Sequence, residues 1–334
     1  MKVALVDRFE RVHDYLRISV TDRCNLRCVY CMPAEGMQFL DESAIMTDDE
    51  IVGVVKAGAA LGIRKLRITG GEPTVRKNLV ELVERLAAIP GIEDIALTTN
   101  GMTLREQAHA LKRAGISRLN LSLDSMKPEA FQAITRHGDY VRVWRGLEAA
   151  VEAGFSPIKL NVVLVKGFNE TEIVDFIRLT KEWPLIVRFI EYMPIGQDAE
   201  QWRARYVPLT QVFEEAKAAG LSLEAGDQVR GNGPAEYFRV PGFAGQIGLI
   251  HPVSDHFCAT CNRLRLTADG KLKPCLYWED EVSVRDCAHD PEKLKELFYR
   301  ALKLKPEKHE MARAGELLEN GLTPTWRAMS QIGG

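Results

Sequence analysis

Six of the seven cysteines fall into two groups of three, and each group has spacing that suits a metal site. The groups are Cys24, Cys28 and Cys31 in the run TDRCNLRCVYCMP, and Cys258, Cys261 and Cys275 in CATCNRLRLTADGKLKPC. Thiolates prefer soft metals such as zinc, copper(I) and the iron of iron–sulfur clusters. A structural zinc ion normally has four protein ligands, so each group leaves one position to be filled by something else. Cys287 stands apart from both groups and is interpreted as an ordinary thiol.

Two metal assignments compete for these groups. In the first group, a zinc site would need His13 or His137 from a distance, whereas a [4Fe–4S] cluster on three cysteines keeps one iron open for a small molecule. In the second group, His256 could complete a Cys3His zinc site. A zinc ribbon usually supplies its last two ligands as a close pair, which Cys275 lacks. Spacing alone therefore leaves zinc and a cluster both open for the second group.

A set of cations indicates an anionic ligand. Each member lies in or beside an apolar run: Arg17, Arg67, Lys159, Arg188, Arg263 and Arg265. In a strand, Arg263 and Arg265 would point to the same side because they are two residues apart. One such cation alone is most simply a surface or ion-paired residue. Six cations on apolar strands need a negative charge to match them.

The first 195 residues alternate short β-rich runs with longer helical patterns, which predicts a parallel sheet. The predicted strands are 16–20, 66–69, 95–98, 118–123, 158–163 and 186–191, and later 237–240, 247–250 and 264–267. The predicted helices are 48–61, 78–88, 104–114, 128–135, 141–153, 170–183, 209–219 and 292–303. Polar Asn120, Ser122 and Asp124 alternate with leucines, and Lys159 and Asn161 repeat the pattern. We interpret the polar face as the wall of a chamber, the alternative being a solvated sheet face.

Composition limits the class of protein. With 44 Lys+Arg and 46 Asp+Glu among 334 residues, the formal net charge is −2, which argues against nonspecific binding to nucleic acid. The chain has no apolar run long enough for a membrane span and no signal-peptide pattern, so we expect a cytoplasmic protein without a membrane partner. After Gly220, glycine and proline become frequent. We therefore predict two parts, residues 1–220 and a smaller α+β part, residues 221–334.

The first cysteine group, followed by GGEP at Gly70–Pro73, resembles the radical S-adenosylmethionine superfamily. This resemblance implies an α/β fold, an incomplete (βα)6-type TIM barrel with a smaller C-terminal α+β part that covers the barrel mouth. It also implies that the open iron binds the amino and carboxylate groups of S-adenosylmethionine. The residues implied to line that site are Tyr30, Gly71, Ser122 and Met193.

Further motifs resemble the GTP 3′,8-cyclases of molybdenum cofactor biosynthesis over essentially the whole chain. They are RITGGEP, TTNG, NLSLDS, RFIEYMP, the second cysteine group and the terminal Gly333-Gly334. The resemblance implies two [4Fe–4S] clusters, with the open iron of the second holding the guanine edge. The implied GTP contacts are Arg17, Arg67, Thr98, Lys159, Arg188, Arg263 and Arg265. The implied catalytic group is Arg17, Arg263, Arg265, Gly333 and Gly334, in which the tail enters the active site and helps to position a catalytic arginine.

The resemblance also implies the reaction and its partners. S-adenosylmethionine is cleaved to a 5′-deoxyadenosyl radical, which removes hydrogen from C3′ of GTP so that C3′ attacks C8. The expected partners are a flavodoxin- or ferredoxin-type reductant, a downstream synthase that makes cyclic pyranopterin monophosphate, and a second copy in a homodimer. Two other readings stay open: a different radical S-adenosylmethionine enzyme with an auxiliary cluster, and a noncatalytic zinc or redox-sensing protein.

Replacing a cysteine of the first group and replacing one of the second group should impair different properties of the protein. Cys24→Ser should abolish cleavage of S-adenosylmethionine, because it removes a ligand from the site that binds the cosubstrate. Cys275→Ser should spare that cleavage at least partly and weaken GTP binding. Deoxyadenosine formation and equilibrium GTP binding, both measured anaerobically, check the pair. Equal loss of both properties in Cys275→Ser would contradict separate roles.

Overall fold

The computed structural model describes residues 4–196, 199–229, 233–316 and 322–333, with the side chains of residues 199 and 200 excepted. Within these ranges, no helix is both long and apolar enough to cross a membrane.

One twelve-stranded sheet organises the molecule. In chain order its strands are β1 Tyr15–Ser19, β2 Lys65–Thr69, β3 Asp94–Thr99, β4 Arg118–Ser122, β5 Ile158–Leu164, β6 Ile186–Glu191, β7 Glu224–Ala225, β8 Glu236–Arg239, β9 Gln246–Ile250, β10 Arg263–Leu266, β11 Lys271–Lys273 and β12 Val282–Ser283. Their spatial order is β12-β11-β10-β1-β2-β3-β4-β5-β6-β9-β8-β7. The run from β10 to β9 is parallel throughout, and antiparallel strands occur only beyond it. The later part of the chain therefore adds three strands to each edge of the six-stranded parallel core, of which the innermost on each side is parallel to it.

The described part of the chain has ten α-helices, of which the first six connect the successive parallel strands from β1 to β6. The ten are α1 Asp48–Ala60, α2 Leu79–Ala87, α3 Leu104–Ala114, α4 Pro128–Thr135, α5 Tyr140–Glu152, α6 Ile173–Leu179, α7 Ala199–Arg205, α8 Thr210–Ala218, α9 Pro291–Lys303 and α10 Met329–Ile332. α1 begins with a capping box in which Thr47 and Glu50 satisfy each other's backbone amides. α3 ends at Gly115, whose φ of 119° is one that glycine adopts without strain.

The predicted strands and helices all occur, with most ends shifted by one residue. The largest difference is the predicted helix 170–183, which is a short 3-10 turn followed by α6 and ends at Leu179. Three short strands, β7, β11 and β12, were not predicted, because two or three residues carry too little alternation to be recognised. α7 and α10 were also missed.

Apolar and polar side chains alternate along the strands, so that one side of the sheet packs against the helices and the other side lines a polar cavity. In β1, Leu16 and Ile18 are fully buried in the main hydrophobic cluster together with residues of the surrounding helices. Tyr15, Arg17 and Ser19 point to the opposite side. Strands β1 to β6, β9 and β10 all contribute residues of this second side to one cavity, so the sheet curves around it. The predicted chamber is therefore present, and we call it the lumen.

Two glycines after β2 let the chain pack against the stem of the first cysteine loop. A Cβ on Gly71 would lie 2.4 Å from the carbonyl oxygen of Arg23 and 2.5 Å from that of Asp22, and a Cβ on Gly70 would lie 2.4 Å from that of Thr21. The Gly71 amide donates to the Thr21 carbonyl at 2.7 Å. These glycines thus fix the cysteine loop through close backbone contact.

This contact predicts a stability effect. Gly71→Ala should lower the free energy of unfolding by about 1–3 kcal/mol, because the new methyl group overlaps backbone that cannot move independently. Urea unfolding of the apoprotein measures it. Gly233→Ala is the control, since its added Cβ would come no closer than 3.5 Å to Arg188. Equal midpoints for both variants would contradict the packing argument.

Candidate functional site: a cation-lined lumen with a thiol triad at each end

The first triad lies on the loop that follows β1. Within the loop, Cys31 donates its backbone N–H to the Cys28 carbonyl at 2.9 Å, and the amides of Arg27 and Val29 donate to the end of α4. Burial, reinforced by the charge of Glu72, raises the pKa of Cys24 to about 11. Burial also raises the pKa values of Cys28 and Cys31, and the neighbouring sulfur and Asp124 charges add to the effect. Burial and the neighbouring negative charges thus favour the neutral thiol form of all three groups when no metal is bound.

Glu72 of the GGEP stretch joins the loop to the sheet. Its carboxylate, 1% exposed, accepts hydrogen bonds from the Thr99 hydroxyl at 2.7 Å, the Asn100 amide at 2.6 Å and the Thr74 amide and hydroxyl at 3.0 and 2.6 Å. Asn100 in turn approaches Cys24 Sγ with its side-chain nitrogen at 3.9 Å. Glu72 is therefore a positioning residue with its acceptor sites occupied by protein donors.

Tyr30 and Asp124 fix the other side of the loop. The Tyr30 hydroxyl donates to Asp124 Oδ2 at 2.6 Å, and the Val163 amide donates to Asp124 Oδ1 at 2.9 Å. Burial raises the pKa of Asp124 to about 6. Tyr30 also lines the lumen, together with Gly71, Ser122 and Met193. All four residues predicted to contact S-adenosylmethionine therefore face the same cavity as the first triad.

The second triad lies before and after the hairpin of β10 and β11. Its three thiols line a smaller cavity, which shares Met193, Phe257, Arg263 and Arg265 with the lumen. Burial opposes ionisation of Cys261, but the charges of Lys305 and Arg263 outweigh it and lower the pKa of that thiol to about 6. The two cavities are thus neighbours, and arginine side chains lie between them.

Neither triad forms a compact site for one ion. Among the described residues, no three histidine, cysteine, aspartate or glutamate side chains converge closely enough to hold a single metal ion. Of the histidines considered for zinc, His13 is buried against Asp7 at 2.9 Å, and His256 is exposed beside the ring of His309, which lines the cavity of the second triad. A cluster fits this donor set better, because its cysteine ligands bind different iron atoms and can lie further apart.

The predicted cations meet inside the lumen. Arg17, Arg67, Arg188, Arg263 and Arg265 line it, as does Thr98. Lys159 is 1% exposed and does not line the cavity directly, but its ammonium group donates to the Tyr237 hydroxyl at 3.4 Å. Burial and the neighbouring cations lower the pKa of Lys159 to about 7, and they lower that of Arg67 to about 9. Arginine still remains charged at neutral pH, so the repulsion persists.

Several donors in this group lack a protein partner. The Nε atoms of Arg17, Arg67 and Arg263 and the hydroxyl of Thr98 are buried and make no hydrogen bond with any residue that the structure describes. Buried polar atoms without partners are rare in native proteins and each needs an explanation. Together with the mutual repulsion of the cations, they indicate a polyanionic ligand that accepts these hydrogen bonds.

Arg118 belongs to the same cluster and was not predicted. It is 3% exposed and forms a buried ion pair with Asp94, whose Oδ1 accepts from Arg118 Nε at 3.0 Å. The sequence around Arg118 gives no sign of this pairing, because Asp94 lies 24 residues earlier and the two residues meet only where β3 pairs with β4. Arg118 thus has a carboxylate partner, whereas the arginines that line the lumen form no ion pair with a carboxylate in the described part of the chain.

The C-terminal tail reaches the lumen. Gly333, with a φ of 76°, accepts a hydrogen bond from Arg265 Nη1 at 2.5 Å through its carbonyl oxygen. A Cβ there would lie 2.6 Å from Cγ2 of Thr69. Both the positive φ and this close contact therefore require glycine at position 333. Gly334 lies outside the described residues.

A buried arginine fixes the start of this tail. Arg327, 3% exposed, donates to both carboxylate oxygens of Glu281 at 2.9 and 2.8 Å and to both of Asp269 at 3.2 and 2.9 Å. Asp269 lies in the turn between β10 and β11. Two contacts therefore join the β10–β11 hairpin to the tail: Arg265 with Gly333, and Asp269 with Arg327.

Comparison with known proteins agrees with this architecture. A family model described as the radical SAM superfamily matches residues 18–180, and one described as Molybdenum Cofactor Synthesis C matches residues 185–311. A solved structure of Streptococcus suis SuiB bound to S-adenosylmethionine aligns with a TM-score of 0.61 and 12% identity, over 89% of this chain and 69% of that one. A structure of native anSMEcpe with bound AdoMet aligns with a TM-score of 0.57 and 15% identity, over 89% of this chain and 82% of that one. The predicted fold, a partial TIM barrel with a C-terminal part, is confirmed, and the protein is a radical S-adenosylmethionine protein.

Curated relatives define the family more narrowly. GTP 3′,8-cyclase of Listeria welshimeri is 54% identical over 99% of both chains, and that of Moorella thermoacetica is 50% identical over 98% of this chain and 99% of its own. The enzyme of Lactiplantibacillus plantarum is 47% identical over 99% of both chains. The chain belongs to the GTP 3′,8-cyclase family, as the sequence motifs predicted.

The tail contact makes a prediction about Arg327. Arg327→Met should free the tail, because it leaves two carboxylates without their shared partner and removes four hydrogen bonds. Hydrogen exchange of the Gln331 and Gly333 amides should become at least about tenfold faster, corresponding to 1.4 kcal/mol of lost local stability. Arg300→Met, on the exposed face of α9, is the matched control. Unchanged exchange in Arg327→Met would mean that other contacts hold the tail.

Proposed function

We propose that this chain converts GTP to 3′,8-cyclo-7,8-dihydroguanosine 5′-triphosphate, the first step of molybdenum cofactor biosynthesis, with a [4Fe–4S] cluster on each triad. Family membership supports the reaction, and the arrangement of the site supports the assignment of roles. The single observation that carries those roles is the group of unpartnered cationic donors between two incomplete thiol triads.

The first triad, Cys24, Cys28 and Cys31, would hold the cluster that binds S-adenosylmethionine, and Cys258, Cys261 and Cys275 would hold the second. When bound, the first cluster and S-adenosylmethionine supply the radical that removes a hydrogen atom. The protein's own contribution is placement, because the reacting carbons must come within roughly 3–3.5 Å of each other. Tyr30, Gly71, Ser122 and Met193 would form the S-adenosylmethionine side of the lumen.

The lumen cations would bind the triphosphate. Arg17, Arg67 and Arg263 each have an Nε–H available for a phosphate oxygen, and Thr98 has a hydroxyl. Arg188 is oriented by Asn120 and Asn161, whose side-chain oxygens accept from its Nη2 and Nε at 2.7 and 2.9 Å. The triphosphate would thus replace the like-charge repulsion with charge-assisted hydrogen bonds.

Arg265 would act with the tail. Its guanidinium group is held by the Gly333 carbonyl, on the side of the lumen that both cavities share. Such a group can present its remaining donors to the substrate in one orientation. Gly333 would therefore position Arg265, and Arg17, Arg263 and Arg265 would form the catalytic group around GTP.

The remaining partners rest on the family resemblance alone. They are a reducing flavodoxin- or ferredoxin-type protein, a downstream cyclic pyranopterin monophosphate synthase, and a second copy of the chain in a homodimer. The expected setting is the cytoplasm, where such a reductant and reduced thiols occur together.

Anaerobic turnover tests the function. Reconstituted protein should contain about eight irons per chain. With reductant, S-adenosylmethionine and GTP deuterated at C3′, it should release methionine and deuterium-labelled 5′-deoxyadenosine, and a product with the composition of GTP and a new C3′–C8 bond. Cys24→Ser is the inactive control. Unlabelled deoxyadenosine, or release that does not depend on GTP, would reject the proposal.

The lowered pKa of Lys159 predicts that GTP binding depends on pH. Its pKa is about 7 in the free protein, and a nearby triphosphate would raise it, so binding above pH 7 must take up a proton. GTP affinity should then fall by up to about tenfold per pH unit above pH 7. Calorimetry at pH 8 in two buffers of different ionisation enthalpy measures the proton. The uptake should disappear in Lys159→Met, and zero uptake by the wild-type protein would contradict the assignment.

A further inference from the structure

Lys305 is a buried cation that contacts the second triad and was not among the predicted site residues. It follows α9 and is 2% exposed, whereas Lys303 two residues earlier is exposed. Burying an ammonium group is costly unless it is hydrogen-bonded and matched by negative charge. The contacts that compensate Lys305 should therefore be identifiable.

All three ammonium donors of Lys305 have partners. Nζ donates to the Pro274 carbonyl at 2.7 Å, to the Arg263 carbonyl at 2.8 Å and to Cys261 Sγ at 3.5 Å. An ammonium group has three N–H donors, so these contacts use its full capacity. Two of the partners are neutral carbonyl groups, which leaves the sulfur of Cys261 as the partner able to carry a formal negative charge.

These contacts join the separate segments that build the second triad. Arg263 begins β10, two residues after Cys261, and Pro274 directly precedes Cys275. Lys305 thus fixes the distance between a ligand on each side of the β10–β11 hairpin. It also holds the strand that carries Arg263 and Arg265 into the lumen.

Arg11 gives the third ligand a similar anchor, but with its charge already compensated. Its guanidinium group donates to the Cys258 carbonyl at 2.8 Å and to the Pro306 carbonyl at 2.7 Å, and it pairs with Asp7 at 2.7 Å. The two residues differ in what lies opposite their charge: the Asp7 carboxylate pairs with Arg11, whereas the ammonium group of Lys305 points at the thiol of Cys261.

We propose that Lys305 is a positioning residue for the second metal site: it holds the Cys261 and Cys275 segments together and stabilises the electron-rich form of the iron–sulfur cluster bound there. This inference rests on the second cluster of the proposed function. A positive charge next to a cluster ligand favours the reduced state electrostatically, so removing it should make the cluster harder to reduce. The residue does not need to touch GTP or S-adenosylmethionine for this role.

The test isolates the second cluster in the full-length chain. Cys24, Cys28 and Cys31 are replaced by Ser, so that bound iron and the redox signal report on the second triad alone. Lys305→Met, which replaces the ammonium group by an unbranched apolar side chain one atom shorter, should lower the midpoint potential in an EPR-monitored titration and reduce bound iron by at least half. Lys303→Met is the control and should match the parent in both measurements.

Lys305→Gln separates charge from hydrogen bonding and covers the case in which Lys305→Met does not fold. Gln keeps a donor for the carbonyl groups and loses the charge, so its potential should fall while its iron content stays closer to that of the parent. An unchanged potential in whichever of the two variants folds would overturn the inference. A parent protein that binds no iron at the second triad would instead reject the second cluster of the proposed function.

Discussion

The repulsion between positively charged side chains in the buried lumen is the main physical constraint on this structure. Arginine side chains from four of the parallel strands line the lumen, and Lys159 and Arg118 are buried nearby, the latter paired with Asp94. Each is held by the sheet, so none can move apart to relieve the repulsion. The polar alternation of the strands, the buried donors without partners and the lowered pKa of Lys159 are consequences of this one constraint. The barrel is therefore organised around a ligand with several negative charges.

The two thiol triads have opposite electrostatic surroundings. The first lies near the carboxylates of Glu72 and Asp124, and burial there raises the pKa of Cys24 to about 11. The second lies near cations, and the pKa of Cys261 is about 6. A cluster in a negative environment is a stronger reductant than one in a positive environment. The two triads are thus distinguished by the charges around them as well as by their position, as the proposed division of roles between them requires.

Much of the fold and part of the site could be predicted from the sequence. The strands were found because long stretches keep a strict two-residue period, and the same period placed Arg263 and Arg265 in the interior. The sequence did not show why close packing requires glycine at position 71, because the contact of Gly71 with the backbone of Arg23 depends on how two distant loops pack. Lys305 was missed because it lies in a run of charged residues, LKLKPEKHE, where burial of one lysine leaves no local pattern. Pairings such as Arg327 with Asp269 and Glu281 depend on tertiary structure and have no signature in spacing.

The placement of β10 beside β1 has a consequence for how the molecule matures. Contacts along this seam join residues 248 positions apart, as in the bond from Asn262 to Asp14. Such non-local pairings slow folding, and during synthesis this one must wait until β10 has left the ribosome. The nascent barrel therefore keeps an unpaired edge at β1 until then, and its arginine-lined interior lacks Arg263 and Arg265. Metal loading of the first loop can precede that moment, whereas a functional catalytic chamber cannot.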